Sequence, residues 1–220
     1  MRYSGLIKND ITAAPGLCVS FFTQGCPHHC PGCHNPETWK MEGGQEITPE
    51  EIVEKAKRYK SYFGKKGGIT FSGGEPLLQS EFVYETFVLC KDNGINTCLD
   101  TSGCILNSRV KSLLFETDRV LLDIKYTNDD DYLKYVGCSM ERPMEFLSYL
   151  DSKKIPVTLR QVVIPTINDT EDNFLKLKAI EKEFSCIDKT ELLPFRKICQ
   201  SKYDELNIKF PFEHIPEGKI

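Results

Sequence analysis

Residues 17–34 read LCVSFFTQGCPHHCPGCH. Leu17 to Thr23 are mostly β-branched, aromatic or small, and the run breaks at Gly25, which predicts a short strand. Directly after it, Cys26, Cys30 and Cys33 stand in a Cys-x3-Cys-x2-Cys spacing that puts three thiols on one tight loop. A strand whose C-terminal end opens into a ligand-bearing loop is typical of parallel α/β folds, where sites gather at that end of the strands.

The rest of the chain repeats the alternation of strand and helix. Thr48 and Glu51 are spaced as a capping box around Pro49, and Ile52, Ala56, Tyr59 and Phe63 follow at helical spacing. Further strands are predicted at Gly68–Ser72, Ile95–Asp100, Arg119–Ile124, Ile155–Ile164 and Thr190–Leu193. Between them, helices are predicted from Leu78 to Asn93 with Gly94 as the stop, and from Ser108 to Phe115. Others follow around Asp130 to Val136, from Pro143 to Asp151, and after a Thr170 cap. Six strand–helix units in sequence argue for an α/β fold with a parallel sheet, rolled into a barrel or doubly wound. No repeat or linker divides residues 1–220, so one domain is expected, with a weakly patterned surface extension from Arg196 to Ile220. Five predicted strands end in polar or glycine-rich sequence, namely Thr23-Gln24-Gly25, Ser72-Gly73-Gly74-Glu75-Pro76, Asp100-Thr101-Ser102-Gly103, Asp123-Ile124-Lys125 and Pro194-Phe195-Arg196.

Composition narrows the function. Twenty-eight basic and thirty-two acidic side chains give a net charge of −4, so nucleic-acid binding is not expected. MRYSGLIKND lacks the apolar core of a signal peptide, and no apolar run approaches the ~18 residues of a membrane span. A soluble, cytoplasmic protein is expected. The ten cysteines are then the anomaly. In a reducing compartment a cysteine cluster points to a metal site or a catalytic thiol, while Cys18, Cys90, Cys98, Cys104, Cys138, Cys186 and Cys199, scattered singly, are expected to pack as small hydrophobes.

Three thiolates holding an iron–sulfur cubane leave one iron without a protein ligand, and an open iron binds a small molecule directly. The alternative is zinc, with His28, His29 or His34 as the fourth ligand. Against it, adjacent residues such as Cys33 and His34 seldom face one metal, and zinc loops more often carry two separated ligand pairs. A loop of free thiols is the third reading. Ser72-Gly73-Gly74-Glu75-Pro76 adds a second motif: paired glycines let a ligand approach the backbone, and the glutamate can take an ammonium group, although the same residues make an ordinary turn.

Cys26-x3-Cys30-x2-Cys33 followed by Gly73-Gly74-Glu75-Pro76 resembles the radical S-adenosylmethionine superfamily. The longer string Cys33-His34-Asn35-Pro36-Glu37-Thr38-Trp39 resembles its glycyl-radical-enzyme activating enzymes. The likeness continues through Leu99-Asp100-Thr101-Ser102-Gly103, Leu122-Asp123-Ile124-Lys125, Arg160-Gln161-Val162-Val163-Ile164-Pro165 and Glu191-Leu192-Leu193-Pro194, over nearly the whole chain. The resemblance implies a partial (β/α)6 barrel of parallel strands and a 4Fe–4S cluster on Cys26, Cys30 and Cys33. It implies that the open iron chelates S-adenosyl-L-methionine, that one electron cleaves the S–C5′ bond to methionine and a 5′-deoxyadenosyl radical, and that the radical takes a hydrogen atom from a glycine Cα of a partner enzyme. A flavodoxin- or ferredoxin-type protein would supply the electron. Carried over by position, Gly32, His34, Gly73, Gly74, Asp123, Lys125 and Arg196 would bind the adenosylmethionine, and Asp100 with Asp123 would help hold a monovalent cation.

The chain departs from the family in three places. Asp-Gly-Pro-Gly-Ile-Arg is replaced by Ala13-Ala14-Pro15-Gly16-Leu17-Cys18, losing both the acid and the arginine; Leu-Leu-Pro-Tyr-His becomes Leu192-Leu193-Pro194-Phe195-Arg196; and no cysteine lies between Cys33 and Cys90, so a single cluster is expected. The segment around Ala13–Gly16 and residues 196–220 are expected to border the opening that a partner's loop enters. Three other functions stay open. An activator of anaerobic ribonucleotide reductase shares the MRYSGLIKNDI opening and Gly43-Gly44. A radical enzyme for a small molecule would suit the lost aspartate. A non-catalytic metal-binding module would have no use for the glycine-rich second motif.

Overall fold

The computed structural model describes residues 1–219, which contain eight strands and seven α-helices. The chain divides into two compact units: Met1–Cys26 with Thr38–Thr101 and Ile105–Leu121, and Pro27–Glu37 with Ser102–Cys104 and Leu122 onward.

The first unit holds β1 (Arg2–Asp10), β2 (Cys18–Thr23), β3 (Gln45–Glu46), α1 (Pro49–Lys57), β4 (Gly68–Gly73), α2 (Ser80–Asp92), β5 (Asn96–Thr101), α3 (Ser108–Phe115) and the start of β6 (Arg119–Asp123). Its sheet order is β3-β1-β2-β4-β5-β6. β2, β4 and β5 run parallel, with Phe21 opposite Phe71 and Phe71 opposite Leu99. Strand alternation puts Val19, Phe21, Ile69, Phe71 and Leu99, all fully buried, on one face, where the Phe71 ring lies 5.6 Å from Phe87 of α2. Ser20, Thr70 and Cys98 take the other face. The predicted capping box starts α1: Glu51 N–H donates to Thr48 Oγ1 at 3.3 Å and Thr48 N–H to Glu51 Oε2 at 2.9 Å. Gly94 ends α2 at φ 59°. Helix α3 begins where expected, but its cap is Asn107, whose side chain accepts from Val110 N at 3.0 Å.

The sequence reading missed β1 and β3. β1 runs antiparallel to β2, with register shifts after Tyr3 and Ile7, and all its residues but Asp10 are partly buried or exposed. A half-wetted strand with bulges has no clean alternation to read. The Ala13–Gly16 segment does not border the strand ends that carry Thr23 and Gly73. Ala13 and Ala14 are buried, the Ala13 carbonyl accepts from Thr70 Oγ1 at 3.4 Å, and a Cβ on Gly16 would sit 2.7 Å from Gly67 N, just before β4 starts. Ala14, Cys18, Cys98 and Leu121 form one apolar cluster there. Losing the family's acid and arginine together leaves no charge stranded in it.

The second unit holds the end of β6, then α4 (Asp129–Tyr135), α5 (Glu141–Lys153), β7 (Val157–Val163), α6 (Glu171–Glu183), β8 (Ile187–Pro194) and α7 (Gln200–Glu205), with sheet order β6-β7-β8. Asn128 caps α4, which opens on Asp129, Asp130 and Asp131 at the favourable end of the helix dipole, and Thr170 caps α6. All six predicted strands exist, as β2 and β4 to β8. In the parallel pair β7–β8, Arg160 stands opposite Glu191 and donates from Nε to Oε2 at 2.9 Å, so its mid-strand charge is an ion pair. Burial works against the Glu191 charge, but the Lys189 and Arg160 partners outweigh it and hold the carboxyl below its ordinary range. Glu191→Gln removes the carboxylate charge that Arg160 Nε meets. Because Glu191 is partly wetted, the expected cost in a guanidinium titration is about 2 kcal/mol, below the range for a fully buried pair; an unchanged midpoint would show that the pair contributes nothing.

Residues 196–219 are mostly exposed but carry buried anchors. Cys199, Tyr203, Phe210, Phe212 and Ile215 are buried, and Phe195, Tyr203, Phe210 and Phe212 make a continuous aromatic group, with Tyr203 and Phe210 centroids 4.8 Å apart. Its anchors hang from turns and a six-residue helix, which leave no periodicity to read. Among the described residues, no helix is long and apolar enough to cross a membrane.

Candidate functional site

Within the first unit, β2 runs out at Thr23 and the chain turns at Gly25, whose φ of 96° is open to glycine. Gly25 N–H donates to Thr38 O at 2.6 Å and Cys26 N–H to Trp39 O at 3.2 Å, which pins Cys26 at the strand end. In the second unit, His29 takes a left-handed φ of 44°, and Cys33 N–H closes a turn onto Cys30 O at 3.0 Å. The Cys33 sulfur accepts Asn35 N–H at 3.3 Å, a bond that favours thiolate over thiol. Cys26, Cys30 and Cys33 are half-buried, while the other seven cysteines are buried. Burial pushes the Cys90 and Cys186 thiols up to about 12, which makes them inert packing groups, as their scatter in the sequence predicts. The donor set therefore fits an iron–sulfur cluster: three partly exposed thiols on one loop, one of them already held by a backbone donor.

The glycine-rich strand end packs closely against the end of β2. A Cβ on Gly73 would stand 2.6 Å from Thr23 N, and one on Gly74 would overlap the Gly25 carbonyl oxygen. These glycines let β4 close on the end of β2, where Gly74 N–H donates to Thr23 O at 2.9 Å and Glu75 N–H to Gly25 O at 2.8 Å. Glu75 is 1 % exposed, and its Oε1 accepts from Leu77 N at 3.1 Å and Thr101 Oγ1 at 2.6 Å. It is a buried helix cap joined to β5. Gly74→Ala must push one backbone off the other; the expected cost in thermal unfolding is about 2 kcal/mol, and a neutral result would mean that the strand ends give way freely. Nearby, Ser72 Oγ donates to Asp100 Oδ2 at 2.7 Å.

In the second unit, Lys125 Nζ pairs with Asp123, and the Lys125 amide donates to the Tyr132 hydroxyl at 3.0 Å. His34 Nε2 lies 3.0 Å from the Arg196 carbonyl, which fixes the proton on Nε2 because a carbonyl only accepts. Burial lowers the His34 pKa, and Lys125 and Lys202 add to that against the Arg196 hydrogen bond. The ring is neutral at pH 7. The Arg196 guanidinium itself is exposed and reaches Glu217 at 3.6 Å. A Cβ on Gly32 would meet Phe212 at 3.2 Å, so the aromatic group rests directly on the cysteine loop.

Sequence reasoning missed two residues that hold this loop. Lys202 donates to Asn35 Oδ1 at 2.8 Å and to Glu37 Oε1 at 2.6 Å, and the Tyr203 hydroxyl donates to the Cys33 carbonyl at 3.1 Å. The signal was present: Cys199, Lys202 and Tyr203 share one helical face by their i, i+3, i+4 spacing.

Residues 20–177 match the family described as the radical SAM superfamily. The chain is 41% identical over 215 residues to the pyruvate formate-lyase-activating enzyme of Clostridium pasteurianum, covering 97% of this chain and 90% of that one. It is 36% identical over 208 residues to the pyruvate formate-lyase 1-activating enzyme of Escherichia coli K12, covering 93% and 85%. Among solved structures, Streptococcus suis SuiB bound to S-adenosylmethionine superposes with a TM-score of 0.65 at 14% identity, over 80% of this chain and 40% of SuiB, a likeness of fold.

Proposed function

The chain belongs to the radical SAM superfamily, and we propose that it is the activating enzyme of a glycyl radical enzyme of the pyruvate formate-lyase type. A 4Fe–4S cluster held by Cys26, Cys30 and Cys33 would supply the one-electron chemistry that cleaves S-adenosylmethionine for hydrogen abstraction from the partner's glycine. The observation that carries this reading is the near full-length identity to relatives of that name, joined to a loop whose three cysteines alone among ten are not fully buried.

Cys26, Cys30 and Cys33 are assigned to the cluster, and Gly32, His34, Gly73, Gly74, Asp123, Lys125 and Arg196 to the adenosylmethionine. Support for these assignments differs. The neutral His34, oriented by the Arg196 carbonyl, can donate no charge to a sulfonium ligand and so does not repel it. The Asp123 carboxylate and Lys125 ammonium can meet the amino and carboxylate ends of an amino acid. Arg196 acts through its backbone, which is why its departure from the family's residue is tolerable. Asp100 and Asp123 are kept as carboxylates for a monovalent cation. Residues 1–220 are taken as one radical SAM domain, in keeping with the near complete coverage of the relatives. A flavodoxin- or ferredoxin-type donor and a cytoplasmic setting complete the proposal, the latter in keeping with ten free thiols.

Anaerobic incubation with a pyruvate formate-lyase-type enzyme, reductant and S-adenosylmethionine tests the function. A glycyl radical on the partner, formed in step with 5′-deoxyadenosine, is the expected result. Deoxyadenosine without a protein radical would move the activity to a different substrate.

A further inference from the structure

His28 lies in the cysteine loop, between Cys26 and Cys30. Its ring nitrogen and the sulfurs of Cys104 and Cys138 all lie within 4.8 Å of one another, and the two sulfurs are 3.3 Å apart. The three residues come from separate stretches of the second unit. Cys104 follows the turn at Gly103, with φ 68°, and Cys138 follows the turn at Gly137, with φ 81°. Both sulfurs are buried beside Tyr126, Tyr132 and Val136, and both cysteines are free thiols. Ser102 Oγ stands 3.2 Å from His28 Nε2 and fixes the ring's orientation, as an outer partner does for a ligating histidine.

We propose that His28, Cys104 and Cys138 form a second metal site that takes a single zinc ion. One imidazole and two soft thiolates suit a d10 ion with no geometric demand of its own. Two Zn–S bonds of about 2.3 Å reach across at most about 4.6 Å, so one ion spans this pair of sulfurs, and a cubane would not fit between them. Binding forms two Zn–S bonds and one Zn–N bond and releases both thiol protons to solvent, with no change of oxidation state. A water completes the tetrahedron, because Cys30, which packs against the same group, is committed to the cluster. The ion ties the turn after Gly103 and the turn after Gly137 to the cysteine loop through His28, and so stiffens the loop.

The test uses the anaerobically reconstituted full chain, dialysed against Zn²⁺ and then desalted. One zinc per chain is expected, and its X-ray absorption edge should show two sulfur neighbours at about 2.3 Å and nitrogen or oxygen at about 2.0 Å. Cys138→Ala and Cys104→Ser should each lower retained zinc more than about tenfold while the reduced-cluster EPR signal persists, which shows that the variants fold. Should a variant fail to fold, the edge spectrum of the unaltered protein decides alone. Absence of stoichiometric zinc overturns the site. So does zinc held by three sulfurs that survives Cys138→Ala and is lost in Cys30→Ala, which would place it on the cluster loop. A two-sulfur zinc site in a protein that takes up no cluster would uphold this site and fault the cluster assignment instead.

Discussion

Replacing any one of Cys26, Cys30 or Cys33 by alanine is expected to leave a folded protein without its cluster and to lower 5′-deoxyadenosine formation by more than about 100-fold, since losing even an outer-shell partner costs up to that much. Two remaining thiols cannot hold a cubane on a loop this short. Cys90→Ala is the matched control. That thiol is fully buried, its pKa is pushed up to about 12, and its loss should cost about 1 kcal/mol of packing with cluster content unchanged. Iron and sulfide analysis with single-turnover product assays separates the two cases. Loss of the cluster in Cys90→Ala, or its retention in Cys30→Ala, would assign the iron to different thiols.

Truncation after Pro194 has the second large effect. It removes the buried Phe195, Cys199, Tyr203, Phe210, Phe212 and Ile215 and both side chains that grip the cysteine loop. At about 1.5–3 kcal/mol for each large apolar side chain, the loss approaches the ~5–15 kcal/mol that holds a whole domain. Partner activation and uncoupled adenosylmethionine cleavage should therefore fall together, along with cluster content. A truncated protein that still cleaves adenosylmethionine but no longer activates its partner would return this segment to the role of a docking rim. A milder pair of changes, Lys202→Ala with Tyr203→Phe, should keep the fold and shorten the lifetime of the cluster in chelator.

The parts of this protein legible in the sequence are those where one physical cause dominates. Strands β2 and β4 to β7 carry buried runs, α1 carries its own capping box, and three clustered thiols stand apart from seven scattered ones. Where several causes compete, the sequence misleads. Gly73 and Gly74 look like room for a ligand, and the neighbouring strand demands their missing side chains as well. Glu75 looks like a ligand group, and its carboxylate also caps a helix start and takes the Thr101 hydroxyl, partners that lie two and 26 residues away. The C-terminal aromatics have no periodicity, because each is anchored by a different turn. His28 shows the limit most plainly. Its place between two cluster cysteines suggests one metal site, and its surroundings in the fold suggest another.

The central claim is an iron–sulfur cluster on this loop that meets adenosylmethionine directly. Low-temperature EPR of the dithionite-reduced, anaerobically reconstituted protein tests it, recorded with and without S-adenosylmethionine. A reduced 4Fe–4S signal whose shape changes when the adenosylmethionine is added is the predicted result. A cluster signal indifferent to it would make the protein an electron carrier, and zinc in place of iron on Cys26, Cys30 and Cys33 would contradict the account outright.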